Sequence, residues 1–173
     1  MGAISSIDVI ALIFYIEVSM TKICFVCHGN ICRSPMAEFI MKKLVKEAGK
    51  EKEFYIQSRA THTDEIWNGI GNHIYPPAQS ELKKNNIPFD ENKRACLLTK
   101  SDVDRFDLFI GMDSENVGYM RRILGENAEG KIKKLLDYSS GGDVYDPWYS
   151  DNFEVAYNNI YKGCKALLNK LYK

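Results

Sequence analysis

The chain contains an apolar run that ends at Cys27 and leads directly into a strongly periodic helix. The run, Ile23 to Val26, is short and partly β-branched, which is typical of a buried parallel strand. Ser34 is a favourable N-cap residue, Pro35 suits the first helical position, and Glu38 falls in the first turn. The sequence therefore predicts a strand, a tight loop and a helix in direct succession.

The predicted helix has one apolar face and a clear end. Its apolar residues recur with helical spacing: Met36, Ala37, Ile40, Met41, Leu44, Val45 and Ala48. Gly49 stops it. Residues 28–33 join a strand end to a helix N-terminus, where unpaired backbone N–H groups converge and the helix dipole favours negative charge. This loop is therefore predicted to bind an oxyanion.

Cys27 and Arg33 give the predicted anion site its chemistry. A thiol beneath backbone N–H groups and beside a guanidinium is stabilised as the thiolate, which is the nucleophilic form. The planar guanidinium can hold two phosphoryl oxygens at once, which a lysine cannot do with the same geometry. Together these residues predict attack of sulfur on phosphorus.

Two motifs of the chain resemble those of a known family. The run Val26-Cys27-His28-Gly29-Asn30-Ile31-Cys32-Arg33-Ser34-Pro35 resembles the signature of the low-molecular-weight protein tyrosine phosphatases. Asp146-Pro147-Trp148-Tyr149 resembles its Asp-Pro-aromatic-aromatic loop. Residues 107–113 resemble its later parallel strand, and the likeness extends over about residues 21–173. The resemblance implies a phosphotyrosine phosphatase.

Three catalytic residues follow from the resemblance. Cys27 would be the nucleophile that forms a cysteinyl-phosphate, Arg33 would clamp the phosphate, and Asp146 would protonate the leaving phenolate. Each also has a plain structural interpretation: a buried cysteine at a strand end, a solvated arginine, and an aspartate in a turn before proline. The occurrence of both motifs in one chain favours catalysis.

The predicted phosphate-binding loop comprises His28, Gly29, Asn30, Ile31, Cys32 and Ser34. Gly29 would let the backbone approach the phosphoryl oxygens closely. Asn30 and Ser34 would brace the loop, and the Ser34 hydroxyl would donate to the Cys27 sulfur, although Ser34 could also serve only as an N-cap. Cys32 resembles the family's second cysteine, which can trap an oxidised nucleophile as a disulfide, or it is a packed small side chain.

Aromatic residues are predicted to form the walls of the substrate pocket. Trp148 and Tyr149 would sandwich a flat aromatic group. Trp67 resembles an aromatic residue of the family's variable loop and would form another wall, but it is nearly as consistent with an ordinary surface or core tryptophan. The predicted partners are phosphotyrosyl proteins or peptides, with inorganic phosphate or other oxyanions as ligands or inhibitors.

Three alternative functions share parts of this pattern. Arsenate reductases of the same fold need two further cysteines after the later strand, and residues 111–117 contain none. Protein arginine phosphatases carry threonine at the position of Ile31, so Ile31 favours phosphotyrosine. A non-enzymatic phosphate-binding module would need Arg33 but not both Cys27 and Asp146.

One segment departs from the family's pattern. The family often carries a histidine ahead of its third strand, whereas this chain has Asn92-Lys93-Arg94-Ala95. A hydrogen bond that would brace the phosphate loop is therefore either absent or supplied by another residue.

Composition bears on the number of domains, the cellular compartment and the binding of nucleic acid or metal. The 173 residues, 45% of them hydrophobic and without net charge, fit one globular domain and give no global field that would favour nucleic acid. Five cysteines, an odd number without dense spacing, favour a reducing cytoplasm.

Cys24 and Cys27 would point to opposite faces of a strand. No metal or cofactor is predicted, because the histidines show no ligand spacing.

Residues 1–19 are predicted to be an N-terminal extension of doubtful status, and residues 20–173 the phosphatase domain. Met20 is where a chain of this family would usually begin, so the upstream residues are either an early start or a real extension. Val9 to Ile16 is apolar but too short for a bilayer, which needs about 20 residues. No membrane span is predicted.

Strands and helices alternate along the rest of the chain. Strands are predicted at 54–58, 108–111 and 132–136, and helices at 115–124 and from 153 onward. Residues 80–85 are predicted to be part of a further helix that ends before Ile87. Such alternation implies an α/β fold with a doubly wound, mostly parallel central sheet of about four strands and helices on both faces. The oxyanion loop follows the carboxyl end of its strand, where such sheets bind ligands.

Overall fold

The computed structural model describes residues 20–172. The predictions for residues 1–19, an N-terminal extension with an apolar run at 9–16, lie outside the described residues. Among residues 20–172, none of the helices combines the length and the apolarity that crossing a bilayer requires.

Strands and helices alternate along the described residues. The strands are β1 (Thr21–Cys27), β2 (Phe54–Ala60), β3 (Ile66–Trp67), β4 (Ile70–Gly71), β5 (Leu108–Gly111) and β6 (Ile132–Lys134). The helices are α1 (Arg33–Glu47), α2 (Pro76–Lys84), α3 (Ser114–Leu124) and α4 (Phe153–Leu171). Short 3₁₀ turns connect several of them.

Four of the strands form one parallel sheet in the order β2-β1-β5-β6. In this sheet Cys27 of β1 lies opposite Ala60 of β2, and Val26 lies opposite Gly111 of β5. The chain passes from β1 to β2 on one side and later to β5 on the other, so the strand order reverses beside β1. The carboxyl end of β1 is therefore the place where this kind of sheet binds ligands. The predicted doubly wound α/β fold is confirmed.

Helices cover both faces of the sheet. Cys27 belongs to a core that includes residues of α1 and α4, whereas Cys24 packs with Met120 and Leu124 of α3 on the other face. Successive side chains of β1 thus alternate between two cores. The predicted opposite orientation of Cys24 and Cys27 is confirmed, and the apolar face predicted for α4 packs in the first core.

The start of α1 differs from the prediction. The helix begins at Arg33, so Cys32 occupies the N-cap position, where it makes no side-chain capping bond. Ser34 is not the N-cap, because its hydroxyl is turned into the loop and hydrogen-bonded there. Glu38 accordingly lies beyond the first turn, and its side chain is buried. Gly49 follows the helix with a φ of 70°, as a helix-ending glycine does.

The hairpin and the last strand differ from the sequence-based expectation. The antiparallel hairpin β3–β4 was not predicted, although its turn residues Asn68 and Gly69 have φ values of 50° and 77°. Asparagine followed by glycine is the usual signal for such a turn. β6 is shorter than predicted because Leu135 starts a 3₁₀ turn. α2 begins at Pro76 and so includes most of the part that was predicted, residues 80–85.

Candidate active site

Cys27 is the last residue of β1 and lies where the strand order reverses. It is 3% exposed. The backbone N–H of Asn30 donates to its sulfur at 3.3 Å, and Ser34 Oγ lies 3.0 Å from the sulfur. Once the thiol has lost its proton, both groups can donate to the thiolate. The residues after the strand therefore fold back onto the sulfur.

Asn30 gives the loop its shape. Its φ of 58° lies in the left-handed region, which asparagine tolerates better than most residues. Its amide nitrogen donates to the hydroxyls of Ser34 and Ser58, both at 2.8 Å. Its amide oxygen accepts from the backbone N–H of Cys96 at 3.0 Å. One side chain thus ties the loop to α1, to β2 and to the segment after α2.

The hydrogen-bond chain continues from Ser58 to a buried carboxylate. Ser58 donates to Glu38, which is 1% exposed, at 2.6 Å. The ammonium groups of Lys93 and Lys42 contact the two oxygens of Glu38, Lys93 at 2.9 Å. Burial alone would raise the pKa of Glu38, but the lysines and the Ser58 hydroxyl outweigh it and lower that pKa. Lys93, from the segment 92–95, thus supports the loop through Glu38 and Ser58.

We expect Glu38→Gln to destabilise the protein by about 3 kcal/mol at neutral pH, because two ammonium groups lose a buried partner. The pKa of Glu38 is lower in the folded state than in the unfolded chain. Its contribution is therefore complete above the ordinary glutamate value of 4.5 and is lost as the pH falls through the folded value. Urea unfolding of both proteins from about pH 7 down to about pH 3 measures the difference.

The matched control is Glu47→Gln, which removes an exposed carboxylate from the end of the same helix. We expect this control to change the free energy of unfolding by less than about 1 kcal/mol. A Glu38→Gln effect that stays constant as the pH falls would show that the carboxylate charge is not what stabilises the loop.

Arg33 is 3% exposed and is held by acceptors from distant parts of the chain. Its Nη1 donates to Asp113 Oδ2 at 2.7 Å and to the Val144 carbonyl at 3.3 Å. Its Nη2 donates to Asp146 Oδ2 at 3.0 Å. Burial alone would lower the pKa of Arg33, but the Cys27 sulfur and the two carboxylates outweigh burial and raise it. The guanidinium therefore stays charged. It also joins the two sequence motifs, because Arg33 belongs to the first and Asp146 to the second.

Asp113 and Asp146 are each fixed by a helical turn. Asp113 is the N-cap of α3, and its Oδ1 accepts from the backbone N–H of Asn116 at 2.7 Å. Asp146 caps the 3₁₀ turn that follows it, and its Oδ1 accepts from the backbone N–H of Trp148 at 3.0 Å. The second oxygen of each carboxylate is thereby aimed at Arg33. Sequence analysis missed Asp113, although an acidic residue just after β5 is a signal for this edge of the sheet.

A cavity of about 320 Å³ contains the loop and the second motif. Its lining residues are Cys27, His28, Gly29, Ile31, Cys32, Arg33, Asp64, Glu65, Glu115, Asn116, Asp146, Trp148 and Tyr149. Two residues of the loop, Asn30 and Ser34, are buried and are not part of the cavity lining. Among residues 20–172, the lining does not include Trp67, which is 70% exposed on the hairpin. Sequence analysis also missed Asp64, Glu65, Glu115 and Asn116, because no local motif marks them.

Two further loop residues are closely packed. Cys32 is a free thiol, as is Cys27, and its pKa is raised by burial and by the charges of Cys27 and Asp146. A Cβ on Gly29 would lie 2.9 Å from Cγ of Glu65, so this glycine leaves room for the neighbouring side chain. A disulfide between Cys27 and Cys32 under oxidation stays a prediction.

A doubly wound α/β protein with a cysteine, an arginine and an aspartate at the switch point of its sheet has, by fold and site, the parts of a phosphoryl-transfer enzyme. The comparison with protein families agrees. A family model described as low molecular weight phosphotyrosine protein phosphatase matches residues 22–173. The chain belongs to this family, as its two motifs predict.

Individual relatives are similar over nearly the whole chain. Low molecular weight protein-tyrosine-phosphatase YfkJ of Bacillus subtilis is 40% identical over 157 residues, 89% of this chain and 97% of YfkJ. The crystal structure of YfkJ has a TM-score of 0.82 and covers 89% of this chain and 96% of its own. The crystal structure of SP-PTP, from Streptococcus pyogenes, is 41% identical in sequence and has a TM-score of 0.79. The match covers 88% of this chain and 93% of SP-PTP. Vibrio vulnificus Wzb in complex with benzylphosphonate is 26% identical in sequence and has a TM-score of 0.76. The match covers 87% of this chain and 99% of Wzb.

Proposed function

We propose that the protein hydrolyses phosphotyrosine through a cysteinyl-phosphate intermediate. The observation that carries this proposal is the convergence of Cys27, Arg33 and Asp146 on one cavity, with the guanidinium 3.0 Å from the Asp146 carboxylate. Its substrates would be phosphotyrosyl proteins or peptides, and free oxyanions such as phosphate would bind as inhibitors. The family and the names of relatives such as B. subtilis YfkJ support this activity.

In the first step the Cys27 sulfur would attack phosphorus while the bond from phosphorus to the phenolic oxygen breaks. Arg33 and the backbone N–H groups of residues 28–33 would hold the phosphoryl oxygens and stabilise the charge of the transition state. Arg33 would then contact the phosphoryl group as well as the carboxylates of Asp113 and Asp146. A protonated Asp146 would donate its proton to the leaving phenolate.

In the second step a water molecule would attack phosphorus, and the bond between phosphorus and sulfur would break. Asp146, now a carboxylate, would accept the proton that the water loses. The products are inorganic phosphate and the Cys27 thiolate. Ser34 supports this step because its hydroxyl lies 3.0 Å from the sulfur and can donate to the thiolate as it leaves.

The walls of the cavity support an aromatic ester as substrate. Trp148 and Tyr149 line it, and both side chains are exposed and free to contact a flat ring. Tyr75 packs against Trp148 with ring centroids 5.7 Å apart, which supports the position of the indole. Benzylphosphonate, which the related V. vulnificus Wzb holds, joins an aromatic ring to an oxyanion. Trp67 would contact only parts of a substrate beyond that ring.

We expect Asp146→Asn to slow the turnover of phenyl phosphate by about 10²–10⁴-fold, because phenolate leaves poorly without a proton. The turnover of p-nitrophenyl phosphate should fall less, because its leaving group is a weaker base and needs the proton less. Steady-state kcat/KM for the two esters gives the comparison, because it reports the first phosphoryl transfer and not the later hydrolysis that both esters share. The control is Asp151→Asn, an exposed aspartate near the same loop. Equal losses with both esters would remove Asp146 from the role of general acid.

A panel of substrates tests the proposed reaction itself. We expect the purified protein to hydrolyse phosphotyrosine faster than phosphoserine or phosphoarginine, and to show no reduction of arsenate. Ile31 supports this order because it lines the cavity at the position where arginine phosphatases carry threonine. Faster turnover of phosphoarginine would replace the proposed function by that of an arginine phosphatase.

A further inference from the structure

The charged residues that line the cavity are mostly acidic. Carboxylates from two further segments stand beside the catalytic loop: Asp64 and Glu65 precede β3, and Glu115 lies in the first turn of α3. Among residues 20–172, Arg33 is the one lysine or arginine in the lining. That cation is buried and already paired with two carboxylates. A bound phosphoryl group would engage Arg33 further, so the outer part of the cavity would keep its negative charge.

Ring contacts hold the acidic residues on one side of the cavity. His28 stacks on His62 with centroids 3.9 Å apart, and His62 packs edge-on against Tyr119 of α3 at 4.3 Å. His28 also contacts the Asp64 carboxylate. Burial and the neighbouring His28 lower the pKa of His62, so this imidazole stays neutral at neutral pH. The Asp64 segment and the Glu115 helix therefore lie on the same side of the cavity, and the exposed carboxylates of Asp64 and Glu115 face the solvent there.

A neutral residue of the lining, next to Glu115 in the chain, also has an acceptor without a partner. Asn116 is 2% exposed, and its Oδ1 has no hydrogen-bond partner among residues 20–172. The Glu65 carboxylate accepts from the amide of Asn72 at 2.7 Å, a partner that carries no positive charge. The unused binding capacity around the catalytic loop is therefore suited to donors and positive charge.

We infer that the cavity selects phosphotyrosyl segments with lysine or arginine beside the phosphotyrosine and disfavours segments with aspartate or glutamate there. The inference rests on the proposed function and adds the class of substrate. The phosphoryl group engages Arg33 and the loop, the ring lies by Trp148 and Tyr149, and the flanking cations face Asp64 and Glu115. Acidic flanking residues meet like charges instead, which is unfavourable at short range.

The experiment compares three phosphotyrosyl peptides that differ only in the residues on either side of the phosphotyrosine: arginine, glutamine or glutamate. At low ionic strength we expect kcat/KM for the arginine peptide to exceed that for the glutamate peptide by about 10-fold. Salt at about 0.5 M should reduce this ratio to about 2-fold, because partly exposed charges are screened. The glutamine peptide should depend little on salt.

A matched pair of variants locates the effect. Glu115→Lys and Glu126→Lys make the same change of charge, but Glu126 is exposed beyond α3 and is not a lining residue. Glu115→Lys should lower the arginine-to-glutamate ratio by about 5-fold, and Glu126→Lys should leave it within about 1.5-fold of the wild type.

The outcomes separate the inference from the proposed function. Equal kcat/KM for the arginine and glutamate peptides at low salt, while all three peptides are hydrolysed, overturns the inference and leaves the phosphatase activity intact. A preference for the glutamate peptide overturns it as well. Failure to hydrolyse any of the three peptides overturns both.

Discussion

Replacement of Cys27 by serine is expected to lower the turnover of p-nitrophenyl phosphate by about 10⁴-fold or more. A serine hydroxyl is not ionised near neutral pH and is a far weaker nucleophile than a thiolate. The substitution nearly keeps the size of the side chain, and a serine hydroxyl can accept from the Asn30 N–H and donate to Ser34 Oγ as the thiol does. Steady-state kcat measures the loss, and calorimetry should show that inorganic phosphate still binds.

The matched control for this substitution is Cys96→Ser. Cys96 is an exposed free cysteine, and the contact it makes to Asn30 uses its backbone N–H, which the substitution keeps. The control should retain wild-type turnover. A Cys27→Ser protein within about 10-fold of the wild type would contradict covalent catalysis by this sulfur.

Replacement of Arg33 by lysine is expected to lower kcat/KM for the same ester by about 10³-fold or more. A lysine keeps the positive charge but cannot reach two phosphoryl oxygens in the plane of a guanidinium. It also cannot serve both Asp113 and Asp146, which contact different guanidinium nitrogens at 2.7 and 3.0 Å. The loss should appear in kcat as well as in phosphate affinity, because the clamp stabilises the transition state.

Arg121→Lys is the control for the arginine substitution. Arg121 is exposed on α3 and pairs with Glu129, also exposed. The same chemical change should there leave kcat/KM within about 2-fold of the wild type, since exposed ion pairs contribute little. An Arg33→Lys protein of normal kcat would show that charge alone, without the planar fork, supports the reaction.

The fold was predictable where local signals were strong. The apolar run before Cys27, the periodic helix after it, and the strand at 108–111 all occur where the sequence places them. The two motifs also predict which residues meet, because parallel strands bring their carboxyl ends to one edge of the sheet. The β3–β4 hairpin was predictable in principle from Asn68 and Gly69, whose pairing favours such a turn.

The support around the site could not be predicted from local sequence. Glu38 and Lys93 are 55 positions apart in the numbering, yet their charged groups lie 2.9 Å from each other. Asp113 reaches Arg33 across 80 positions. Ser34 resembled an N-cap, and only the surrounding polar groups show that its hydroxyl serves the loop. Such contacts depend on the packing of distant segments, which carry no spacing pattern of their own.

The central claim is that the Cys27 sulfur takes the phosphoryl group, and detection of the phosphorylated enzyme tests it most directly. Asp146→Asn, mixed with p-nitrophenyl phosphate and quenched during turnover, should accumulate the intermediate, because its hydrolysis has lost the base. Fragment mass spectrometry should then place one phosphoryl group on Cys27 and none on Cys24 or Cys32. Continued turnover with no adduct, or an adduct on any other residue, would contradict the account.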